Sequence, residues 1–120
     1  MRLLLDTHVV LWHLSGEREL SLPARDAIAS ADDLLFSVVS FAEVGIKAAV
    51  GKLGVPDDLP ARIADSGIRT LGLSPAHGLA VADLPVHHRD PFDRLIIAQA
   101  IVERLTVVTA DTRFQAYGIE

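Results

Sequence analysis

Four short apolar runs, at residues 2–5, 34–39, 68–73 and 106–109, alternate with longer segments that carry helix-start signals. That alternation leaves few folds open. Strand, helix and strand in succession read as a crossover unit, in which the strands run parallel and helices cover both faces of the sheet through right-handed connections. The expected architecture is a three-layer α/β fold, with residues 117–120 as at most a marginal fifth strand. At 120 residues the chain fits one domain, 1–120, with a real hydrophobic core, and it has no internal repeat, low-complexity tract or linker.

Local signals place the helices. Residues 7–14 follow the first strand directly, and Ser21-Leu22-Pro23 supplies a capping residue and an early proline before a helix over 24–31. Ser40 opens the next helix, which carries Glu43 and ends near Gly51, and a shorter one covers 59–66. Ser74-Pro75 starts a helix over 76–83, and 84–89 is connecting loop. Asp90-Pro91-Phe92-Asp93 begins the longest helix, 94–105, which is apolar on nearly every face and so expected at the centre of the fold. A short helical turn is expected at 111–116.

Asp6, Glu43, Asp93 and Asp111 are scattered in sequence, yet each sits where a strand or a helix start meets a turn. In a parallel sheet the carboxyl ends of the strands open onto one edge, so these four acids are expected to share a pocket. Each also has a structural reading, because carboxylates are favoured at helix N-termini. Asp6 can cap the helix that begins at Thr7, Glu43 stands three residues after Ser40 at the spacing of a capping box, and Asp111 can cap the turn that follows it. Asp90, followed by Pro91, fits an N-cap and puts Asp93 one turn inside its helix. Capping does not explain why most helix starts along one edge are acidic. Two like charges about 4 Å apart repel by roughly 4 kcal/mol at an effective dielectric near 20, so such a cluster must hold protons or bind cations. Oxygen donors alone suit a hard divalent ion, Mg2+ or Mn2+.

The formal net charge of −5 looks unfavourable for a protein that handles nucleic acid. With the four acids set aside, 12 acidic residues face 11 Lys and Arg, so the excess can sit in one site. Lys47, one turn beyond Glu43, and Arg89, Arg94 and Arg113 near the other acids can neutralise phosphates or simply form ion pairs. The absence of Cys excludes disulfides, thiolate metal sites and Cys nucleophiles. His8 and His13, five apart, and His87-His88 lack the spacing of metal ligands on one helix face. Neither a glycine-rich nucleotide cradle nor a nucleophile-elbow serine is present. The start at Leu3-Leu4-Leu5 is too short for a signal peptide and no run is long enough for a membrane span, so a soluble, cytoplasmic protein is expected.

Four blocks carry a family likeness: Leu5-Asp6-Thr7-His8-Val9-Val10-Leu11-Trp12, Ser37-Val38-Val39-Ser40-Phe41-Ala42-Glu43-Val44, the stretch from His88 through Asp90-Pro91-Phe92-Asp93 to Ala100, and Val108-Thr109-Ala110-Asp111. In this order and at these separations the chain resembles a PIN-domain ribonuclease, and more narrowly the VapC-type toxins of bacterial toxin–antitoxin pairs. The resemblance implies a parallel sheet of four or five strands, Mg2+ or Mn2+ dependence, homodimers, endonucleolytic cutting of RNA and inhibition by a VapB-type antitoxin. Asp6, Glu43, Asp93 and Asp111 match the family's four acids, with Glu43 or Asp111 acting through bound water. Asp90, Thr109, Lys47 and Arg94 are secondary candidates around them. The resemblance also implies a groove near the active site for the antitoxin's C-terminal segment, close to Trp12 and residues 44–59. Trp12 and Leu59 must stay exposed for that groove to exist; otherwise they are core.

Two other functions compete. A phosphoacceptor receiver domain has this length and alternation, but it resembles a pattern with paired acids after the first strand and a lysine after the last. Here a single Asp6 follows the first strand and no lysine lies beyond Lys52. A PIN fold without catalysis, acting as an interaction module, is the other.

Overall fold

A computed structural model describes residues 1–15, 21–85 and 90–109. Along the chain these form β1 (Arg2–Leu5), α1 (Thr7–Ser15), α2 (Leu22–Ser30), β2 (Asp33–Ser37), α3 (Val38–Ala49), α4 (Leu59–Asp65), β3 (Ile68–Leu71), α5 (Pro75–Ala80) with a 3₁₀ turn at Val81–Asp83, α6 (Pro91–Glu103) and β4 (Thr106–Val108). The sheet has four strands in the order β3-β2-β1-β4, all parallel. From β1 the chain builds outward through β2 to β3, then returns to lay β4 on the other side of β1. Strand order therefore reverses between β1 and β4, and in open α/β sheets the crevice at such a point, beyond the carboxyl ends of the strands, is where ligands bind.

The run Leu3-Leu4-Leu5 is apolar throughout because both faces of its strand are covered. Successive side chains point to opposite faces. Leu3 and Leu5 join Phe36 and Ile68 against Val9 and Val10 of α1, Ile28 of α2 and Ile63 of α4. Leu4 joins Leu35 and Val107 against Ile96, Ile97 and Ala100 of α6. These two cores, one on each side of the sheet, give the three layers.

Several boundaries differ from the sequence-based expectation, most by one or two residues, and four of them bear on the core or the site. The second strand stops at Ser37 rather than continuing to 39, because Ser37 adopts extended backbone and its side chain accepts from the N–H of Val39, so that α3 starts at Val38, two residues before Ser40. The third strand stops at Leu71, and the carbonyl of Gly72 instead accepts from Nε2 of Gln99 at 3.2 Å. Helix α6 ends at Glu103, since Arg104 turns left-handed at φ 55° and releases Leu105 toward the sheet. The fourth strand ends one residue early, at Val108. Residues 111–116 and 117–120 lie outside the described residues.

His77 fastens α5 to α6 and had no assigned role in the sequence. It is 2% exposed. Its Nδ1 accepts from the N–H of Ser74 at 3.0 Å while its own N–H donates to Ser74 Oγ at 3.2 Å, a capping box with His in the place usual for Glu or Gln. With Nδ1 accepting, Nε2 carries the proton and donates to Glu103 Oε1 at 2.9 Å. His77→Ala is expected to destabilise the fold by about 1–2 kcal/mol, the worth of a helix cap and a buried hydrogen bond. Urea denaturation measures this, and an unchanged midpoint would mean that neither bond contributes.

Candidate active site

Asp6 stands where β1 passes into α1, at the β1–β4 crevice. Its backbone N–H donates to Val108 O at 3.0 Å, and its carbonyl accepts from Val10 N at 3.2 Å. Oδ1 accepts from the N–H of Thr7 at 2.8 Å and Oδ2 from the Thr109 hydroxyl at 2.8 Å. The capping reading thus covers only one carboxylate oxygen, while the other reaches across to the segment after β4. Burial pushes the Asp6 carboxyl above the usual carboxylate range and the charge of Glu43 adds to this, against the bonds from Thr109 and Thr7.

Glu43 is 5% exposed. With α3 capped at Ser37, Glu43 falls in the second turn, so the capping-box reading with Ser40 does not hold. Its Oε1 lies 2.8 Å from Thr7 Oγ1, which is itself 2.9 Å from Ser40 Oγ. An ionised carboxylate can only accept, so the Thr7 hydroxyl donates to Glu43 and receives the hydroxyl proton of Ser40 on its lone pair. Oε2 accepts from Lys47 Nζ at 2.7 Å. The chain of bonds runs from Ser40 through Thr7 to Glu43, with Lys47 closing the other end, and it ties the start of α1 to α3. The Lys47 ammonium is held above its ordinary range chiefly by the bond to Glu43, and the charges of Asp90 and Asp93 add to that pull.

Asp93 is the third residue of α6 and is 8% exposed. Asp90 is the cap of that helix, its Oδ1 accepting from the N–H groups of Phe92 and Asp93 at 2.9 and 3.3 Å. Arg94 donates to the carbonyls of Pro85 and Val81 at 3.1 and 3.3 Å, which draws α6 against the 3₁₀ turn. Asp111, Arg89, Arg113, His87 and His88 lie outside the described residues. Asp6 and Glu43 are thus linked through Thr7, and Asp90 and Asp93 share the field of Lys47 with Glu43.

Among the described residues, no three Asp, Glu or His side chains are gathered closely enough to hold a metal ion as they stand. The donor chemistry nevertheless fits one. Asp6, Glu43 and Asp93 are buried carboxylates from the β1–α1 junction, α3 and α6, and carboxylate oxygens suit a hard divalent ion. Sequence reasoning did not single out Thr7 and Ser40 as positioning groups. The signal was the helical spacing of Ser40, Glu43 and Lys47, which lines all three along one face, with Thr7 directly after Asp6.

Beside α1 a groove of about 260 Å³ is lined by Leu11, Trp12, Leu14, Leu53 and Leu59, with His8 and Arg62 also on its wall. His8 stacks on Trp12, with 5.9 Å between ring centroids. Leu59 is only 3% exposed, so the core reading holds for it. It belongs to the cluster against which the half-buried Trp12 packs.

The PIN domain model matches residues 3–120. Ribonuclease VapC22 of Mycobacterium tuberculosis is 32% identical over 117 residues, spanning 95% of this chain and 90% of that protein. Among solved structures, that of VapBC2 from Rickettsia felis bound to a DNA fragment from their promoter matches with a TM-score of 0.71 at 18% identity, over 98% of this chain and 93% of the other. A toxin–antitoxin complex from Klebsiella pneumoniae gives 0.64 at 22% identity over 94% and 89%. FitAcB from Neisseria gonorrhoeae gives 0.66 at 21% over 98% and 94%. With its parallel three-layer fold and acidic crevice, the chain belongs to the PIN-domain family, on the VapC branch.

Proposed function

We propose that this protein is an endoribonuclease toxin that hydrolyses RNA phosphodiester bonds with Mg2+, or Mn2+ in its place, and is restrained by a VapB-type antitoxin. The observation that carries this reading is Asp6 at the β1–β4 crevice, linked through Thr7 to Glu43, which shares Lys47 with Asp93. Asp6 and Asp93 would hold the ion, Asp111 would complete the set, and Glu43 would act through water. The ion, when bound, supplies a Lewis acid for the scissile phosphate and an acidified water for in-line attack. Thr7 and Thr109 fix both oxygens of Asp6, so its carboxylate is oriented in advance. Lys47 offers a positive charge to the RNA backbone. No side chain needs to become covalently attached, and the products carry a 5′-phosphate and a 3′-hydroxyl. We read the protein as a homodimer of single domains spanning 1–120, working in the cytoplasm; no described helix is long and apolar enough to cross a membrane. Membership of the PIN family leaves the receiver reading without support.

The test is cleavage of a mixed RNA pool with Mg2+ and after chelation. Fragments that appear only with the ion support the reading, and no cleavage under either condition would favour the interaction-module alternative. Leu59 is withdrawn into the core, but Leu11, the half-buried Trp12 and Leu53 still line an apolar groove beside α1 that suits the antitoxin segment. Trp12→Ala is expected to weaken antitoxin binding by about 30-fold, the roughly 2 kcal/mol typical of an aromatic anchor. Calorimetry measures it, and unchanged affinity would move the antitoxin elsewhere.

A further inference from the structure

Lys47 stands at the rim of the acidic pocket, its side chain 36% exposed, and points its ammonium inward at Glu43. Its Nζ is 2.7 Å from Glu43 Oε2, and the Glu43 side chain is only 6% exposed. Glu43's other oxygen is taken by Thr7. Both oxygens are therefore engaged by groups of the fold itself, from two helices. Mg2+ sits about 2.0–2.1 Å from an oxygen ligand, so an ion placed on Oε2 would lie within about 5 Å of the ammonium. Two cations that close repel, and they would compete for the same carboxylate oxygen.

We infer that Lys47 is a built-in cation that takes the place of a second divalent ion, so that the pocket accepts one ion and no more. The inference rests on the metal-dependent reading above and deepens it. Asp6, Glu43 and Asp93 bring three negative charges to the pocket, and Lys47 offsets one of them. Glu43 keeps its ammonium and Thr7, and its effect on the ion passes through water. Placement one helical turn from Glu43 on α3 makes this cation permanent, since the backbone holds both partners at contact spacing.

Counting bound ions tests this without reference to activity. The full chain, Lys47→Met and Lys47→Arg are titrated with Mn2+ at neutral pH, with free Mn2+ followed by electron paramagnetic resonance and folding by circular dichroism. The expected stoichiometry is one ion for the unaltered chain, one for Lys47→Arg and two for Lys47→Met. Where Met at 47 prevents folding, Lys47→Gln removes the charge while keeping a donor for Glu43, and the same count of two applies. Two ions in the unaltered chain, or one in both it and the uncharged variant, would overturn the inference and leave the metal site standing. No Mn2+ uptake by any of them would overturn the metal site and the inference together.

Discussion

Asp93→Asn is expected to lower the proposed Mg2+-dependent RNA cleavage by about 100-fold or more while the chain still folds. Removing an outer partner of a metal ligand costs about 10–100-fold, so removing a ligand itself reaches at least the upper end of that range. The substitution keeps the shape of the side chain, and the start of α6 is secured elsewhere, by the bonds from Asp90 to the N–H groups of Phe92 and Asp93. Secondary structure and melting temperature should therefore stay close to those of the unaltered chain. Single-turnover cleavage of an RNA pool, with circular dichroism alongside, measures both. Full activity in this variant would remove Asp93 from the mechanism.

Asp6→Asn should separate function from stability. Cleavage is again expected to fall by about 100-fold or more. Stability, measured without divalent ions, should rise by on the order of 1 kcal/mol, or roughly 3–6 °C in Tm. The reason is that burial holds the Asp6 carboxyl above its ordinary range, so the fold disfavours the charge that the chemistry requires. An amide fills the same space, and the Thr109 hydroxyl can turn to accept from it. A carboxyl whose folded value is raised takes up its proton more readily in the fold than in the unfolded chain. Its cost is fully present above the folded value and fades as pH falls through it. The advantage of the variant is thus widest near neutral pH and narrows in acid. Denaturant titrations at several pH values measure the gap, and a variant less stable than the unaltered chain at neutral pH would contradict this account.

How far the sequence could be read depended on how local the chemistry was. Asp90-Pro91-Phe92-Asp93 announced the start of α6 because cap, proline and third-position acid act within four residues, and the structure places them so. The alternation of strand and helix also carried the sheet, since parallel strands need covered faces. Val38 and Val39 misled, because β-branched residues beside an apolar run look like strand; the decision was made by Ser37, whose hydroxyl caps α3. Leu59 could be read as core or as partner surface, because hydrophobicity does not reveal which face of a short helix meets the core, and it is core. Gln99 shows the same limit from the polar side. It interrupts Leu95-Ile96-Ile97-Ala98 yet is fully buried, bonded to Ser37 Oγ and the carbonyl of Gly72. Those partners are 62 and 27 positions away, beyond the reach of any periodicity. Thr7 was legible as a helix start, whereas Ser40 and Glu43 were misread as one, since α3 begins at Val38; the hydrogen bonds among the three exist only once α1 and α3 are docked.

The pairing of β4 with β1 also sets a schedule for the molecule. Oδ2 of Asp6 meets its hydroxyl partner 103 positions downstream. A ribosome that has translated Asp6 and Glu43 must still deliver α6 and β4 before the crevice has its second wall. Nascent chains accordingly cannot complete the crevice around Asp6 until translation has passed Thr109, and an early-terminated product would lack that wall altogether.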